Sequence, residues 1–177
     1  KFYGADLIQV EAGDFDGAIE TRDTMAKSFG WFNCNQFHNP LNILAHYNTT
    51  GPEIDKQFRK ANAYEQIWPW PQAFVVGTGT GGTIMGCGEY LKEKFPGIRL
   101  IAVEPAESAV MSGGEPGLHG IQGIGDGSKF LVDLNKIDGV KTIPTECAKK
   151  VAKYLAKRYG LFVGISAGAN VMASFQW

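Results

Sequence analysis

The chain has 177 residues, 44% hydrophobic and 20% charged, with a formal net charge of −1. Those values describe a folded globular chain of one domain, or one domain and part of another, and exclude a strongly basic nucleic-acid surface. No apolar run is long enough to span a bilayer, and the opening residues do not read as a secretory signal. Cys34, Cys87 and Cys147 are odd in number and far apart in sequence. This predicts a reducing, cytoplasmic setting with neither a disulfide framework nor a zinc site. His38, His46 and His119 have no metal-ligand spacing, so no metal is expected.

In chain order, Ala5 to Val10 reads as a strand and Asp16 to Phe29 as a helix, with Ile19, Met25, Ala26 and Phe29 as its apolar stripe and Gly30 as its stop. Trp31 to Asn33 reads as a second short strand. Asn39-Pro40 breaks the pattern, and Leu41, Leu44 and Ala45 suggest a helix. Thr50-Gly51-Pro52-Glu53 matches a capping box and opens another, with Ile54, Phe58 and Ala61 on one face. Trp68-Pro69-Trp70-Pro71 reads as a rigid turn.

The apolar run Ala73-Phe74-Val75-Val76 then leads into Gly77-Thr78-Gly79-Thr80-Gly81-Gly82-Thr83, and Ile84 to Phe95 reads as a helix. A glycine-rich turn between strand and helix lets backbone N–H groups approach an anion, and the helix terminus adds roughly half a positive charge. The loop has no Lys or Arg and lacks the Gly-Lys-Ser/Thr ending of a nucleotide P-loop. Gly77, Gly79 and Gly82 also fit a dinucleotide fingerprint. Glu104, after the apolar run Leu100 to Val103, lies roughly 20 positions on, where a ribose-binding acid sits. A phosphate-bearing cofactor and an NAD(P) cofactor therefore compete at this point.

Ser112 to Gly127 is rich in glycine and lacks helical or strand period, which points to a functional connection. Val140 to Ile143 reads as a strand. Thr145 is expected to cap a helix whose apolar residues Ala148, Val151, Ala152, Leu155 and Tyr159 repeat at helical spacing up to Gly160. Leu161 to Ile165 reads as a last strand, and Ser166-Ala167-Gly168-Ala169-Asn170 turns it into a helix. Strands alternating with helices predict an α/β fold with a mostly parallel sheet. In such sheets ligands sit at the carboxyl ends of strands. The Gly77–Thr83 turn suits a phosphate, and the Ser166 hydroxyl at a helix start suits a ring nitrogen. Together they describe pyridoxal phosphate.

The sequence resembles the cysteine synthase (O-acetylserine sulfhydrylase) and cystathionine β-synthase group of fold-type-II pyridoxal-phosphate enzymes over nearly its whole length. The likeness is carried, in the family's order, by Tyr3-Gly4-Ala5-Asp6-Leu7, Asn35-Gln36-Phe37-His38-Asn39-Pro40-Leu41-Asn42 and Thr49-Thr50-Gly51-Pro52-Glu53-Ile54. It continues through Gly79-Thr80-Gly81-Gly82-Thr83, Val103-Glu104-Pro105, Ile121-Gln122-Gly123-Ile124-Gly125 and Gly164-Ile165-Ser166-Ala167-Gly168.

The resemblance implies a three-layer α/β/α fold of the tryptophan synthase β type, truncated. Residues 1–34 would be a remnant of the smaller N-terminal domain, and 35–177 most of the larger, cofactor-binding one. It further implies that Gly79, Thr80, Gly81, Gly82 and Thr83 cradle the phosphate of pyridoxal 5'-phosphate. Ser166 would bond the ring nitrogen, Gln36 the substrate carboxylate, and Phe37, Gly123, Ile124 and Gly125 would line the substrate.

The implied reaction is replacement of the β-substituent of an activated serine by sulfide. The implied assembly is a homodimer able to take a serine acetyltransferase tail. The family's Schiff-base lysine motif and its Thr/Ser-Ser-Gly-Asn carboxylate loop do not occur here, so the catalytic lysine is not assigned. The chain opens on Lys1 and stops in a predicted helix at Trp177, as expected of a fragment. Two other readings stand beside this one. One is an NAD(P)-dependent oxidoreductase using Gly77, Gly79, Gly82 and Glu104, and the other is a non-catalytic fragment or regulatory partner. Residues 126–130, Asp-Gly-Ser-Lys-Phe, depart from the family's usual Ala-Gly-Phe-Ile-Pro.

Overall fold

The computed structural model describes residues 2–65 and 70–177. The chain divides into two compact units, Lys1–Asn35 and Gln36–Trp177.

Among the described residues, the first unit holds one helix, α1 (Phe15–Phe29). The Asp14 side chain caps it by accepting from Gly17 N–H at 2.8 Å. Gly30 ends it in the left-handed conformation, its N–H donating to Ala26 O. The expected apolar stripe buries nothing fully, and Phe29 is exposed and stacked on Trp31. The strands expected at Ala5–Val10 and Trp31–Asn33 do not form. Apolar composition predicts extended backbone, but a strand exists only where a neighbour completes its ladder. Neither segment has one among the described residues.

Among the described residues, the second unit is built on three parallel strands in the order β1 (Ala73–Gly77), β2 (Arg99–Pro105), β3 (Gly139–Ile143). The register pairs Gly77 with Val103 and Pro105 with Ile143. The central strand is buried on both faces, as a parallel sheet between helices requires. Successive side chains point to opposite faces. Ala102 packs with Ile84 and Met85 of α4 (Gly82–Lys94), whereas Val103 packs with Ala148 of α5 (Thr145–Tyr159) and Ala169 of α6 (Ile165–Gln176). Helix α4 therefore covers one face and α5 with α6 the other, giving the expected three layers.

Outside α4 lie α2 (Leu41–Asn48) and α3 (Thr50–Glu65). A Cβ on Gly86 would strike the carbonyl oxygen of Ile43, so α2 and α4 meet backbone to backbone. Burial pushes the Cys87 thiol of α4 up to about 11, leaving it an inert apolar filler. The three cysteines form no disulfide.

Several local expectations are corrected. Leu161–Ile165 is not a strand: Leu161–Gly164 is irregular and exposed, and α6 begins at Ile165. Helix α3 begins where expected, but no capping box forms. Glu53 N–H donates to Thr49 O, and Thr50 Oγ1 instead lies 2.9 Å from His46 Nδ1. Thr145 opens α5 without capping it. Its hydroxyl accepts from Gly120 N–H at 3.0 Å and its N–H donates to Glu107 at 2.8 Å, which pins the glycine-rich connection. In the expected Trp-Pro-Trp-Pro turn, Trp68 and Pro69 lie outside the described residues.

Candidate active site

The sheet delivers its loops to one end. At the carboxyl end of β1, Thr78 is buried, and its N–H and hydroxyl both donate to Val103 O, at 3.0 and 3.1 Å. The loop carbonyls then turn to the 123–132 segment. Thr78 O accepts from Gly125 N–H and Thr80 O from Leu131 N–H, each at 3.0 Å. The N–H groups of Gly79, Thr80, Gly81 and Thr83 find no backbone acceptor among the described residues. They sit at the start of α4, where the helix dipole adds positive potential.

Side chains are excluded from this loop by position. Gly81 has φ +89°, and a Cβ there would lie 2.6 Å from Val132 Cγ2 and 2.9 Å from Val132 N. A Cβ on Gly79 would lie 2.8 Å from Gly123 O. The hydroxyls are held from behind. Thr80 Oγ1 accepts from Asn42 Nδ2 at 3.0 Å and from Gly82 N–H at 3.4 Å, and Thr83 Oγ1 lies 3.3 Å from His46 Nε2.

The other nominated residues border this loop. Ile124 is buried, and its Cγ2 would lie 2.9 Å from a Cβ on Gly77. Gly125 O is bonded by Ser108 Oγ and His119 Nε2, both at 3.1 Å. The Gln36 carbonyl accepts from the Asn42 amide that holds Thr80. Phe37 packs on Phe130 with ring centroids 4.6 Å apart.

Ser166 is the second residue of α6, not its cap. Gly164 holds the cap position, and the half-buried Ser166 hydroxyl has no partner among the described residues. One turn along α6, Asn170 Oδ1 is buried without a hydrogen bond and would lie 3.2 Å from a Cβ on Gly77. Glu104 is 1% exposed, and its two oxygens accept from Met111 N–H and Ser112 N–H at 2.8 and 2.9 Å. That carboxylate is buried and engaged in organising a loop, so it is not presented to a ribose, and the oxidoreductase reading loses the acidic partner it needs.

Sequence reasoning passed over Asn42, His46, Asp126 and Asn170. Asn42 and His46 lie one turn apart on α2, a spacing that puts them on one face but does not by itself mark a site. Asp126 is half-buried between two glycines with positive φ, and its Oδ2 would lie 3.5 Å from a Cβ on Gly79. Burial pushes its carboxyl above the ordinary range, with His119 opposing.

A loop of N–H donors without cations, at a cradle that a Cβ would fill, suits an anionic group such as the phosphate of a cofactor. Residues 1–176 match the pyridoxal-phosphate dependent enzyme family, and the chain belongs to that family. Among its relatives, a cysteine synthase of Staphylococcus aureus is 37% identical over 180 residues, covering 99% of this chain and 55% of the relative. The crystal structure of a cysteine synthase from Entamoeba histolytica is similar at 39% identity and TM-score 0.83, over 97% of this chain and 49% of the other. A hydrogen sulfide-producing enzyme from Fusobacterium nucleatum is similar at 36% identity and TM-score 0.89, over 99% of this chain and 52% of the other. The chain thus spans about half the length of the relatives it matches, and its fold is that of the fold-type-II group.

Proposed function

We propose that this chain is the greater part of the cofactor-binding domain of an enzyme that replaces the β-substituent of an activated serine with sulfide, giving L-cysteine. The observation that carries the reading is the cation-free cradle at Gly79–Thr83, joined to a neutral, unpartnered hydroxyl at Ser166. When bound, pyridoxal phosphate supplies the electron sink for α-proton loss and β-elimination. The N–H groups and hydroxyls of Gly79–Thr83 bind its phosphate. Ser166 donates to its ring nitrogen without protonating it, which favours elimination and replacement over chemistry that needs a longer-lived carbanion.

The Gln36 side chain binds the substrate carboxylate, Phe37 lines the pocket mouth, and the Gly123–Gly125 backbone borders the substrate. The base that takes the α-proton is a lysine not assigned to this chain. On this reading residues 1–34 belong to the smaller domain and 35–177 to the larger. The whole enzyme is a cytoplasmic homodimer with a site open to a serine acetyltransferase tail. The test uses the full-length protein loaded with pyridoxal phosphate. Visible absorbance of the bound cofactor, with cysteine formed from O-acetylserine and sulfide, is the expected result. A colourless protein that makes no cysteine overturns the reading.

A further inference from the structure

Both hydroxyls of the phosphate loop are gripped by one helix that does not itself belong to the loop. Asn42 and His46 stand one turn apart on α2, and Gly82 and Gly86 stand one turn apart on α4. A Cβ on Gly82 would strike the Asn42 amide, and one on Gly86 the Ile43 carbonyl. The two glycines let α2 come close enough for Asn42 to reach Thr80 and His46 to reach Thr83.

Hydrogen-bond accounting then fixes where the hydroxyl protons point. The two N–H bonds of the Asn42 amide go to Gln36 O at 2.9 Å and Thr80 Oγ1 at 3.0 Å, and Gly82 N–H reaches the same Oγ1. A hydroxyl has one proton and two lone pairs. With both lone pairs engaged by donors, the Thr80 proton is left for an external acceptor.

His46 admits two arrangements when neutral. Its Nδ1 lies 2.9 Å from Thr50 Oγ1 and its Nε2 3.3 Å from Thr83 Oγ1. If Nδ1 carries the proton, it donates to Thr50, and Thr83 must donate back to Nε2. If Nε2 carries it, Thr50 donates to Nδ1, Nε2–H donates to Thr83, and the Thr83 proton is free. Only the second arrangement presents a donor to an anion. Each bond in that chain also polarises the next.

Resting on the cradle reading above, we propose that Asn42 and His46 are positioning residues. They aim the Thr80 and Thr83 protons at the cofactor phosphate, with His46 held as its Nε2–H tautomer. Asn42 adds a second consequence, because the same amide holds the Gln36 carbonyl. The turn that carries Gln36 and the Thr80 hydroxyl therefore share one anchor.

The test uses the full-length enzyme. The His46 ring is assigned by nitrogen-15 NMR in the wild type, with inorganic phosphate and then with pyridoxal phosphate. An Nε2–H signal is expected. An Nδ1–H signal, or an imidazolium, overturns the proposal and requires no variant to fold. Cofactor affinity is then measured in a double-mutant cycle of His46→Ala and Thr83→Val. His46→Ala alone should weaken binding by about three- to tenfold, His46→Gln should restore part of that, and His46→Ala should cost nothing further beside Thr83→Val. If Thr83→Val by itself leaves affinity unchanged, the cradle reading fails and this inference falls with it. If Thr83→Val weakens binding and His46→Ala adds its full loss on top, the cradle stands and this inference alone is wrong.

Discussion

The two turns that open α4 and α6 carry the same punctuation in sequence, glycines and hydroxyls after an apolar run, but are built on opposite principles. The first leaves β1 in register with β2, buries Thr78 and starts a helix that is itself largely buried. Its glycines keep side chains out of a crowded loop, and its hydroxyls are anchored by a neighbouring helix. The second follows Leu161–Gly164, in which Phe162 is 98% exposed. It takes its position from α5, because a Cβ on Gly168 would strike Ala148 O and lie 2.9 Å from Ala152 N. The first turn is thus specified from all sides and suits a permanent, tightly held group. The second is fixed only at its helix and leaves Ser166 without a partner, ready to bond whatever is placed before it.

The contrast is broken most directly at Gly81. Gly81→Asp puts a side chain on a residue with φ +89° against Val132, and a carboxylate beside the phosphate. Retention of cofactor absorbance after desalting should be lost entirely in the full-length enzyme, while a urea melt shows whether the protein remains folded. Undiminished retention would show that this loop does not hold the phosphate.

A glycine replacement at the second turn should act on stability alone. Gly168→Ala forces α5 and α6 apart, an overpacking cost of about 1–3 kcal/mol. The urea midpoint should fall, with cofactor affinity per folded molecule unchanged. Reduced affinity without reduced stability would mean that Gly168, too, lines the ligand.

Ser166→Ala sharpens the difference further. One neutral hydrogen bond is worth about 0.5–1.5 kcal/mol, so cofactor affinity should drop modestly. Turnover should fall more than affinity, because the ring loses its polar partner. Ser166→Asp should favour the protonated ring nitrogen, a carboxylate stabilising the neighbouring positive charge, and shift the cofactor spectrum. Unaltered rate and spectrum in both variants would leave Ser166 with only a helical role.

Most of what the comparison rests on was legible in the chain itself. The β1 turn and α4 were read from an apolar run, a glycine cluster and an amphipathic run, because each is a local signal that packing reinforces. The same kind of local signal misled at Ala5–Val10 and Leu161–Ile165. Composition there sets a preference for extended backbone, whereas a strand is a property of two segments. Thr50 and Thr145 failed as caps for a related reason. Their hydroxyls have other partners, His46 on the preceding helix for Thr50 and the N–H of Gly120 for Thr145. The site's supporting layer was the least legible. Asn42 and His46 acquire their role only when α2 meets α4 at Gly82 and Gly86, and no pattern within α2 announces that meeting.

The smallest effect is expected at Asp126, beside the first turn. Its folded carboxyl titrates above the ordinary value because burial disfavours the charge, with His119 pulling the other way. An acid raised in the fold contributes stability that is full below its unfolded value, about 3.9, and is lost as the pH rises through the folded value. At neutral pH the wild type therefore carries an ionised carboxylate that the fold disfavours, close to the loop assigned to a phosphate. Asp126→Asn removes that charge and keeps the shape. The variant should be more stable at neutral pH by less than about 1 kcal/mol, since solvent screens a partly exposed group. Its advantage should shrink on acidification and vanish once the wild-type carboxyl is protonated in both folded and unfolded chains. Inorganic phosphate should bind the variant slightly more tightly at neutral pH, as one like charge near the loop is gone. Urea midpoints of wild type and variant across an acid-to-neutral series measure the first effect. A gap that stays constant with pH, or that reverses in sign, would show that Asp126 does not carry the cost assigned to it.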